Sequence, residues 1–223
     1  MQDVNIEAIL EQHWGYKQFR PLQADIIYAV LAGKDTLALL PTGGGKSVCF
    51  QIPALAMDGV CIVVSPLIAL MKDQVEQLLR RGIFATAVFS GMDFRQIDKV
   101  LDEAVSGKTK FLYVSPERLQ TELFKERAKR MNISLLAIDE AHCISQWGYD
   151  FRPPYLEIAT FRKTIPNVPV IALTATATQQ VQIDIQERLD FREGGKVFQK
   201  SFARPNLSYT VLHSENKGLH LLE

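Results

Sequence analysis

The sequence has little cysteine and no excess of charge of either sign. Its three cysteines form no C-x-x-C pair, which argues against a disulfide framework. Cys49, Cys61 and Cys143 each sit beside apolar residues, so we expect buried, reduced thiols. Lysine plus arginine and aspartate plus glutamate number 25 each. A polyanion would therefore have to bind through local contacts, because there is no global positive field to attract it.

Long apolar stretches are also missing. No run approaches the ~20 residues that a helix needs to cross a bilayer. Residues 1–10 contain Asp3 and Glu7 and lack the basic segment and apolar stretch of a signal peptide. We therefore expect no membrane partner and a monomeric, intracellular chain, cytoplasmic and nucleoid-associated in a bacterium or nuclear in a eukaryote. At 223 residues the chain suits one sizeable core.

Short, almost unbroken apolar runs recur along the chain. Strands without polar alternation are typical of a parallel sheet that is covered by helices. The predicted strands are residues 36–40, 60–64, 86–89, 111–114, 135–138 and 170–173. Helix-period stripes lie at Leu22–Leu31 and Leu67–Leu79, and Gly33 and Gly82 follow them as helix-ending glycines. The alternation predicts an α/β fold with a doubly wound, mostly parallel sheet and helices on both faces.

The pattern changes near the carboxyl end of the sequence. After Arg204-Pro205-Asn206 a short apolar run is followed by a polar stretch, with no partner element in sight. We therefore predict one domain over residues 1–205, which includes an amino-terminal segment at 1–32. Residues 206–223 are expected to form a linker, or the start of a second domain.

One glycine-rich segment has the composition and position of a phosphate-binding loop. It reads Pro41-Thr42-Gly43-Gly44-Gly45-Lys46-Ser47, between a predicted strand and a predicted helix, which is the context of a P-loop. Glycines let backbone N–H groups surround a phosphate, and the helix N-terminus favours negative charge. Lys46 is expected to reach the β- and γ-phosphates of ATP, with the Ser47 hydroxyl on Mg²⁺. The alternative is a glycine-rich turn with an incidental lysine.

An acidic pair follows another predicted strand. Asp139 and Glu140 come directly after Leu135–Ile138, at the kind of strand end where ligands gather in open α/β sheets. Asp139 is the candidate Mg²⁺ residue, acting through water because Mg²⁺ keeps much of its hydration shell. Glu140 is placed to polarise an attacking water. Either carboxylate alone could be a solvated strand end, but together with the P-loop they indicate a nucleotide-hydrolysing site.

Several segments carry a family resemblance. Asp139-Glu140-Ala141-His142 and Thr174-Ala175-Thr176-Ala177 resemble the superfamily-two helicases, and Leu40, where the general P-loop pattern has glycine, is typical of the same class. Over about residues 9–207 the chain is also similar to the RecQ family of DNA helicases. The segments that carry this similarity are Trp14-Gly15-Tyr16-x-x-Phe19-Arg20-x-x-Gln23, Ser65-Pro66-Leu67-Ile68, Ser115-Pro116-Glu117-Arg118-Leu119 and Cys143-Ile144-Ser145-Gln146-Trp147-Gly148-Tyr149-Asp150-Phe151-Arg152-Pro153. The resemblance implies a P-loop NTPase of RecA-like fold.

The resemblance assigns adenine recognition to the first of these segments. In the family, Tyr16 and Arg20 would stack around the base while Gln23 reads its amino edge. A side-chain amide offers both a donor and an acceptor for that purpose. Arg20 and Gln23 stand at helical i, i+3 spacing, so we expect both to face one ligand. Without the resemblance, the same residues would be interpreted as a helix start and surface.

The resemblance also implies an aromatic segment, from Ser145 to Pro153, that senses single-stranded DNA and couples it to hydrolysis. The candidate DNA-contacting residues near or within it are Gln146, Trp147, Tyr149, Phe151, Arg152 and Tyr155. Aromatic rings offer stacking faces and Arg152 offers a cation. The alternative is that Trp147 and Phe151 pack as a lid over the core.

Two serine-proline pairs follow predicted strands and precede helical patterns. At Ser65-Pro66 and Ser115-Pro116, hydroxyls and helix N-termini are candidates to hold a DNA backbone without reading its sequence. Lys72 is either a further phosphate partner or a solvated lysine.

A pair of threonines resembles the family motif that links hydrolysis to DNA movement. Thr174 and Thr176 form it, and His142 is expected between this motif and the metal site, as a candidate catalytic residue. Thr176 or Thr178 is also a candidate cap for the helix that follows.

The implied activity is 3′-to-5′ DNA unwinding driven by ATP and Mg²⁺, in repair and recombination, on single-stranded and forked duplex DNA. In the family, a second RecA-like domain supplies an arginine finger, and a zinc-binding segment follows. Neither appears in these 223 residues, where the sequence shows no zinc-ligand cluster, so we expect the chain alone to be nearly inactive. Two alternatives stay open. One is a DEAD-box-like RNA helicase, which His142 and the aromatic segment argue against, and the other is a non-catalytic nucleotide-binding regulatory module.

Overall fold

Seven parallel strands form one sheet within residues 4–200, the part of the chain that the computed structural model describes. In chain order they are β1 (Thr36–Leu39), β2 (Val60–Val64), β3 (Ala85–Val88), β4 (Phe111–Val114), β5 (Ile133–Ile138), β6 (Val170–Thr174) and β7 (Lys196–Gln199). Their order across the sheet is β3-β4-β2-β5-β6-β1-β7. All neighbouring strands are parallel, so their carboxyl ends lie along one edge of the sheet.

Helices cover both faces of this sheet. In the described residues they are α1 (Ile6–Trp14), α2 (Gln23–Leu31), α3 (Lys46–Ala56), α4 (Ile68–Arg80), α5 (Phe94–Val105), α6 (Glu122–Ala128), α7 (Leu156–Arg162) and α8 (Gln179–Arg188). Helices α2 to α4 pack on one face, α5 to α8 pack on the other, and α1 packs outside α2 and α3. Short 3-10 helices occupy Pro116–Gln120, Ala141–Ile144 and Pro153–Tyr155. The predicted doubly wound α/β fold is confirmed, with a wholly parallel sheet.

Strand residues alternate between the two apolar layers. Leu37 and Leu39 of β1 pack with the α5–α8 side, whereas Ala38 and the following Leu40 pack with the α2–α4 side. All four are buried, and burial of one such aliphatic side chain contributes about 1.5–3 kcal/mol. Apolar residues are therefore required at consecutive positions, which explains the unbroken runs in the sequence.

The predicted elements agree with the structure except at two places. Six strands lie within two residues of their predicted bounds, and Gly33 and Gly82 follow α2 and α4 with φ of 74° each. Strand β7 was not predicted; it lies at the sheet edge and most of its residues are exposed. The stripe at Leu67–Leu79 is only partly buried, because Leu67 and Leu79 face solvent while Met71 and Leu78 enter the core. The predicted linker at 206–223 lies outside the described residues.

The fully buried Asp35, just before β1, connects the sheet edge to the core. Its carboxylate accepts hydrogen bonds from the backbone N–H of Val170 (2.9 Å) and from the backbone N–H of Arg192 (2.8 Å). It also pairs with the guanidinium groups of Arg192 (2.9 Å) and the buried Arg162 (3.4 Å). Burial raises the pKa of Asp35, but the hydrogen bonds from Arg192 and Val170 outweigh it and hold the pKa below its usual value.

None of the helices in residues 4–200 is both long and apolar enough to cross a membrane. Cys49, Cys61 and Cys143 are buried and free, as predicted.

Candidate active site

Five adjacent strands bring the predicted site residues to one edge of the sheet. The residues at or just after their carboxyl ends are, in order across the sheet, Ser115 (β4), Ser65 (β2), Asp139 (β5), Thr174 (β6) and Leu40 (β1). The predicted phosphate loop and acidic pair therefore share an edge with the two serine-proline pairs, although they are widely separated in sequence. Asp139 and Thr174 lie between the loop and the serines.

Two glycines of the phosphate loop have close neighbours. A Cβ atom at Gly44 would lie 2.7 Å from the carbonyl oxygen of Pro41, and one at Gly45 would lie 2.4 Å from Nε2 of Gln23. Gly43 and Gly45 also have φ of 75° and 77°, which side chains rarely allow. Helix α3 begins at Lys46, so its unpaired N–H groups open toward the loop. The arrangement fits a phosphate group.

Arg20 and Gln23 hold this loop from behind. The Gln23 amide donates from Nε2 to the carbonyl oxygens of Gly45 (3.1 Å) and Gly44 (3.4 Å), and its Oε1 accepts from the Arg20 backbone N–H at 2.8 Å. The Arg20 guanidinium donates to the Gly43 carbonyl. The helical spacing predicted for Arg20 and Gln23 is wrong, because α2 begins only at Gln23, after Leu22 at φ 72°. Both side chains nevertheless contact one feature, the loop.

Tyr16, the third residue predicted at the adenine site, lies in the segment between α1 and α2. The residue is 60% exposed. The ring is therefore accessible to a ligand.

The acidic pair lies opposite the loop lysine. The Nζ atom of Lys46 is 3.9 Å from Oε1 of Glu140, whose backbone adopts φ 48°. The Asp139 carboxylate accepts from the Glu140 backbone N–H at 3.0 Å. Burial, and then the charge of Glu140, raise the pKa of Asp139 to about 6. A cation at this carboxylate would favour its ionised form, and oxygen donors on Asp139 and Ser47 suit Mg²⁺.

His142 connects the acidic pair to the end of β6. Its Nδ1 atom lies 3.3 Å from Oε2 of Glu140 and 2.9 Å from Oγ1 of Thr174. The Thr174 hydroxyl donates to the Thr176 carbonyl at 3.0 Å, so it accepts from a protonated Nδ1 of His142. Burial lowers the pKa of His142, which favours a neutral ring with an unprotonated Nε2.

The aromatic segment contacts this histidine directly. The ring of Tyr149 stacks on the ring of His142, with centroids 5.3 Å apart and planes 19° from parallel. Its hydroxyl lies 3.2 Å from Oγ1 of Thr176. Tyr149 was predicted only as a stacking face for DNA, and no spacing in the sequence signals its contact with His142.

The other residues of the aromatic segment differ in exposure. Trp147 is 70% exposed and Gln146 is exposed, so a lid role for Trp147 is wrong. Phe151 and Arg152 line a cavity with Pro66, Pro116 and Tyr155. The stacking role expected for Tyr155 is also wrong, because it is fully buried and its hydroxyl donates to the Asp139 carbonyl at 2.9 Å.

The serine hydroxyls point away from solvent. Ser65 and Ser115 are buried, and their Oγ atoms have no hydrogen-bond partner among the described residues. Lys72 is exposed, with its Nζ atom 5.0 Å from the centre of the Phe89 ring. Thr178 caps α8 by accepting from the Val181 N–H at 3.4 Å, as predicted.

Residues 20–183 match the model of the DEAD/DEAH box helicase family. A protein named ATP-dependent DNA helicase RecQ, from Pasteurella multocida, is 46% identical over 204 residues, which cover 92% of this chain and 32% of that protein. The protein of the same name from Bacillus subtilis is 44% identical over 213 residues, covering 95% of this chain and 36% of that one. The chain thus spans about a third of the length of these curated relatives.

Among solved structures, a hypothetical ATP-dependent RNA helicase from Sulfolobus tokodaii superposes with a TM-score of 0.63 at 20% identity. The match covers 87% of this chain and 57% of that one. At this identity the likeness bears on the fold alone, and it confirms the predicted RecA-like α/β architecture.

Proposed function

The chain belongs to the DEAD/DEAH box helicase family, and from that membership we propose that it is the ATP-binding motor domain of a RecQ-like 3′-to-5′ DNA helicase. The complete protein would couple ATP hydrolysis to movement along single-stranded DNA and to unwinding of forked duplexes. One observation carries the proposal: a continuous line of contacts runs from Lys46 through Glu140 and His142 to Thr174. This line joins the phosphate loop to the threonine motif that is predicted to link hydrolysis to DNA movement, and Tyr149 of the aromatic segment stacks on its histidine.

The loop from Pro41 to Ser47 holds the phosphates of ATP in this proposal. Lys46 places its charge on the β- and γ-phosphates, while Ser47 and Asp139 hold Mg²⁺, the latter through water. The metal neutralises charge on the phosphates when it is bound. Glu140 orients the attacking water and accepts its proton, because its carboxylate is partly exposed and ends near both Lys46 and His142.

Adenine recognition by Gln23 requires an exchange of partners. Its amide is 4% exposed and is bonded to the loop carbonyls and to the Arg20 N–H. A base that offers one donor and one acceptor would replace the bond at Oε1 and a bond at Nε2. When a base binds beside Tyr16 and Arg20, Gln23 would therefore give up contacts with the Gly44 and Gly45 carbonyls of the phosphate loop.

DNA is proposed to act on hydrolysis through the aromatic segment. Bases would stack on Trp147, while Phe151 and Arg152 face the cavity shared with the serine-proline pairs. Because Tyr149 touches both His142 and Thr176, a displacement of the segment changes the surroundings of Glu140. The exposed Lys72 and Gln146 are proposed to contact the backbone of the strand. Ser65 and Ser115 would join them only after a local rearrangement, because their hydroxyls are buried.

A second RecA-like domain is the proposed protein partner, supplying the arginine that these motors place on the γ-phosphate. Such an arginine is worth roughly 10³–10⁵ in rate in GTPases. The 223-residue chain by itself is therefore expected to bind ATP·Mg²⁺ weakly, to hydrolyse it very slowly and to separate no strands. Unwinding by the purified chain at the rate of a complete enzyme would contradict this expectation.

The nature of the nucleic acid is tested by the ATPase rate of the complete protein with single-stranded DNA and with RNA of the same sequence. We expect stimulation by DNA and little by RNA. Stronger stimulation by RNA would favour an RNA helicase. No stimulation by either, together with no turnover, would favour a regulatory nucleotide-binding module.

A further inference from the structure

We propose that His142, Cys143 and Asp150 form a binding site for a borderline-soft divalent cation such as Zn²⁺, distinct from the Mg²⁺ site at Asp139. Within residues 4–200 they are the one group of three or more histidine, cysteine or acidic residues whose donor atoms all lie within 4.8 Å of one another. The sequence showed no zinc cluster because two of these residues are adjacent and the third is seven positions away, a spacing unlike the usual paired motifs.

The distances between the donor atoms suit a tetrahedral ion. The Sγ atom of Cys143 is 3.8 Å from Nε2 of His142 and 3.7 Å from Oδ2 of Asp150. Zinc bonds of about 2.3 Å to sulfur and about 2.0–2.1 Å to nitrogen or oxygen place tetrahedral ligands about 3.5 Å apart. These two edges are longer by only a few tenths of an ångström, and the third, between the donor atoms of His142 and Asp150, is within 4.8 Å. A movement of the partly exposed Asp150 side chain would complete the coordination, with water at the fourth position.

The histidine is already oriented for a metal. Its Nδ1 is directed at Thr174 and Glu140, which fixes the ring and leaves the Nε2 lone pair facing Cys143. A hydrogen bond of this kind behind a histidine is the usual support of a metal-ligating imidazole. His142 and Cys143 are 5% and 0% exposed, so the ring and the sulfur have little room to turn away.

The nitrogen and sulfur donors of this group favour a softer cation than Mg²⁺. Mg²⁺ prefers oxygen ligands, whereas thiolate and imidazole suit Zn²⁺ or Co²⁺. Binding replaces the thiol proton of Cys143, which leaves to solvent, and gives two anionic ligands to balance the charge of the ion. The competing contact is the pair between Asp150 and Arg152 at 2.9 Å, which is partly exposed and therefore weak.

A bound cation would join the turn after β5 to the aromatic segment. His142 and Cys143 lie in the 3-10 helix Ala141–Ile144, and Asp150 lies next to Tyr149 and Phe151. Holding these parts together would prevent the movement through which DNA is proposed to stimulate hydrolysis. Under the proposed function, micromolar Zn²⁺ would therefore inhibit DNA-stimulated ATPase of the complete protein, and a chelator would reverse it.

The test is binding of Co²⁺ and Zn²⁺ by the metal-free chain, a readout that does not depend on ATPase activity. We expect one Co²⁺ per chain with a thiolate-to-cobalt absorption band, and displacement by Zn²⁺. Cys143→Ser should remove the band, and Asp150→Asn should keep it while weakening affinity by about tenfold or more. Cys61→Ala and Cys49→Ala, which change buried cysteines outside the cluster, should leave both unchanged.

A band that persists in Cys143→Ser, equal losses in all three cysteine variants, or no Co²⁺ binding by the wild-type chain would each overturn the site. If Cys143→Ser fails to fold, X-ray absorption of the wild-type cobalt complex decides the question. One sulfur ligand together with nitrogen and oxygen supports the site, and no sulfur overturns it. Failure of the metal site would leave the ATP and DNA assignments intact, because those are measured without Co²⁺ or Zn²⁺.

Discussion

The Nδ1 atom of His142 lies 2.9 Å from the Oγ1 atom of Thr174, although the two residues are 32 positions apart in the sequence. Both are buried, and the bond joins the turn after β5 to the end of β6. Because Thr174 is bonded in turn to the backbone of Thr176, the orientation of the histidine depends on the conformation of the next loop. We therefore expect a change in the conformation of the loop at Thr176 to alter the orientation of the His142 ring, and the reverse.

Replacing Thr174 by valine keeps the shape of the side chain and removes this hydroxyl. The buried His142 loses a partner, so we expect the free energy of unfolding to fall by about 1–3 kcal/mol, as measured by urea denaturation. Thr176→Val changes an exposed residue and should alter it by less than about 0.5 kcal/mol. Equal stabilities for the two variants would contradict the structural importance of the His142–Thr174 bond.

Lys46→Ala should abolish detectable ATP binding and leave the fold intact. The side chain's only ion pair within the described residues is the 3.9 Å contact with Glu140, so its loss removes little structure. A charged hydrogen bond to phosphate is worth about 1.5–3 kcal/mol. Calorimetric titration with ATP·Mg²⁺ measures the change, and circular dichroism checks the fold. Lys99→Ala, on the exposed side of α5, is the control, and an unchanged affinity in Lys46→Ala would refute the phosphate-loop assignment.

Trp147→Ala should weaken the binding of single-stranded DNA without changing stability. One stacked base contributes about 1–3 kcal/mol, which corresponds to about a 5- to 150-fold rise in Kd. Fluorescence anisotropy with a labelled oligonucleotide measures it. Phe94→Ala is a matched control, because Phe94 on α5 is 68% exposed, close to the 70% of Trp147, but lies away from the site. Similar losses in both variants would show that Trp147 has no specific role.

Asp35→Asn should lower the free energy of unfolding at neutral pH by about 3–5 kcal/mol, because it leaves the buried Arg162 guanidinium without its counter-charge. The pKa of Asp35 is lowered in the folded state, so its stabilisation is present above the unfolded-state pKa of about 3.9 and is lost as the pH falls through the folded-state pKa. Urea denaturation at pH 7 and below pH 4 measures this.

Asp35→Asn should therefore show a smaller loss of stability on acidification than the wild-type chain. The exposed Asp25→Asn serves as control and should behave like the wild type. The same acid-dependent loss in Asp35→Asn as in the wild type would mean that other carboxylates dominate the response.

Most of the fold could be predicted because a strand buried on both faces has few options in composition. The run from Val60 to Val64 is wholly apolar and is buried at every position. Strand β7 was not predicted, because an edge strand does not need an unbroken apolar run. Its residues Lys196 and Gln199 are exposed and polar. Its position depends on pairing with β1 and on the contacts of Arg192 with Asp35, both of which are long-range.

The site was predictable where backbone geometry restricts residue type. The glycines of the phosphate loop are the example. The carboxylates after β5 were identified instead from their place at the end of a buried strand. Side-chain partners were not predictable, since they depend on packing. Tyr155 belongs to an aromatic-rich stretch but is buried with its hydroxyl on the Asp139 carbonyl, while Tyr149, six positions earlier, is 80% exposed. Composition alone does not separate these two tyrosines.

The distance across the site follows from the order of the strand ends, which is Ser115, Ser65, Asp139, Thr174 and Leu40. Neighbouring strands are about 4.8 Å apart, so the phosphate loop and Ser115 are separated by four steps, about 19 Å. Under the proposed function, coupling between them would run across the strand ends, through the contacts of His142 with Glu140 and Thr174. Asp139 and Thr174, which follow or end the strands between Ser65 and Leu40, therefore occupy the positions that such coupling would have to cross.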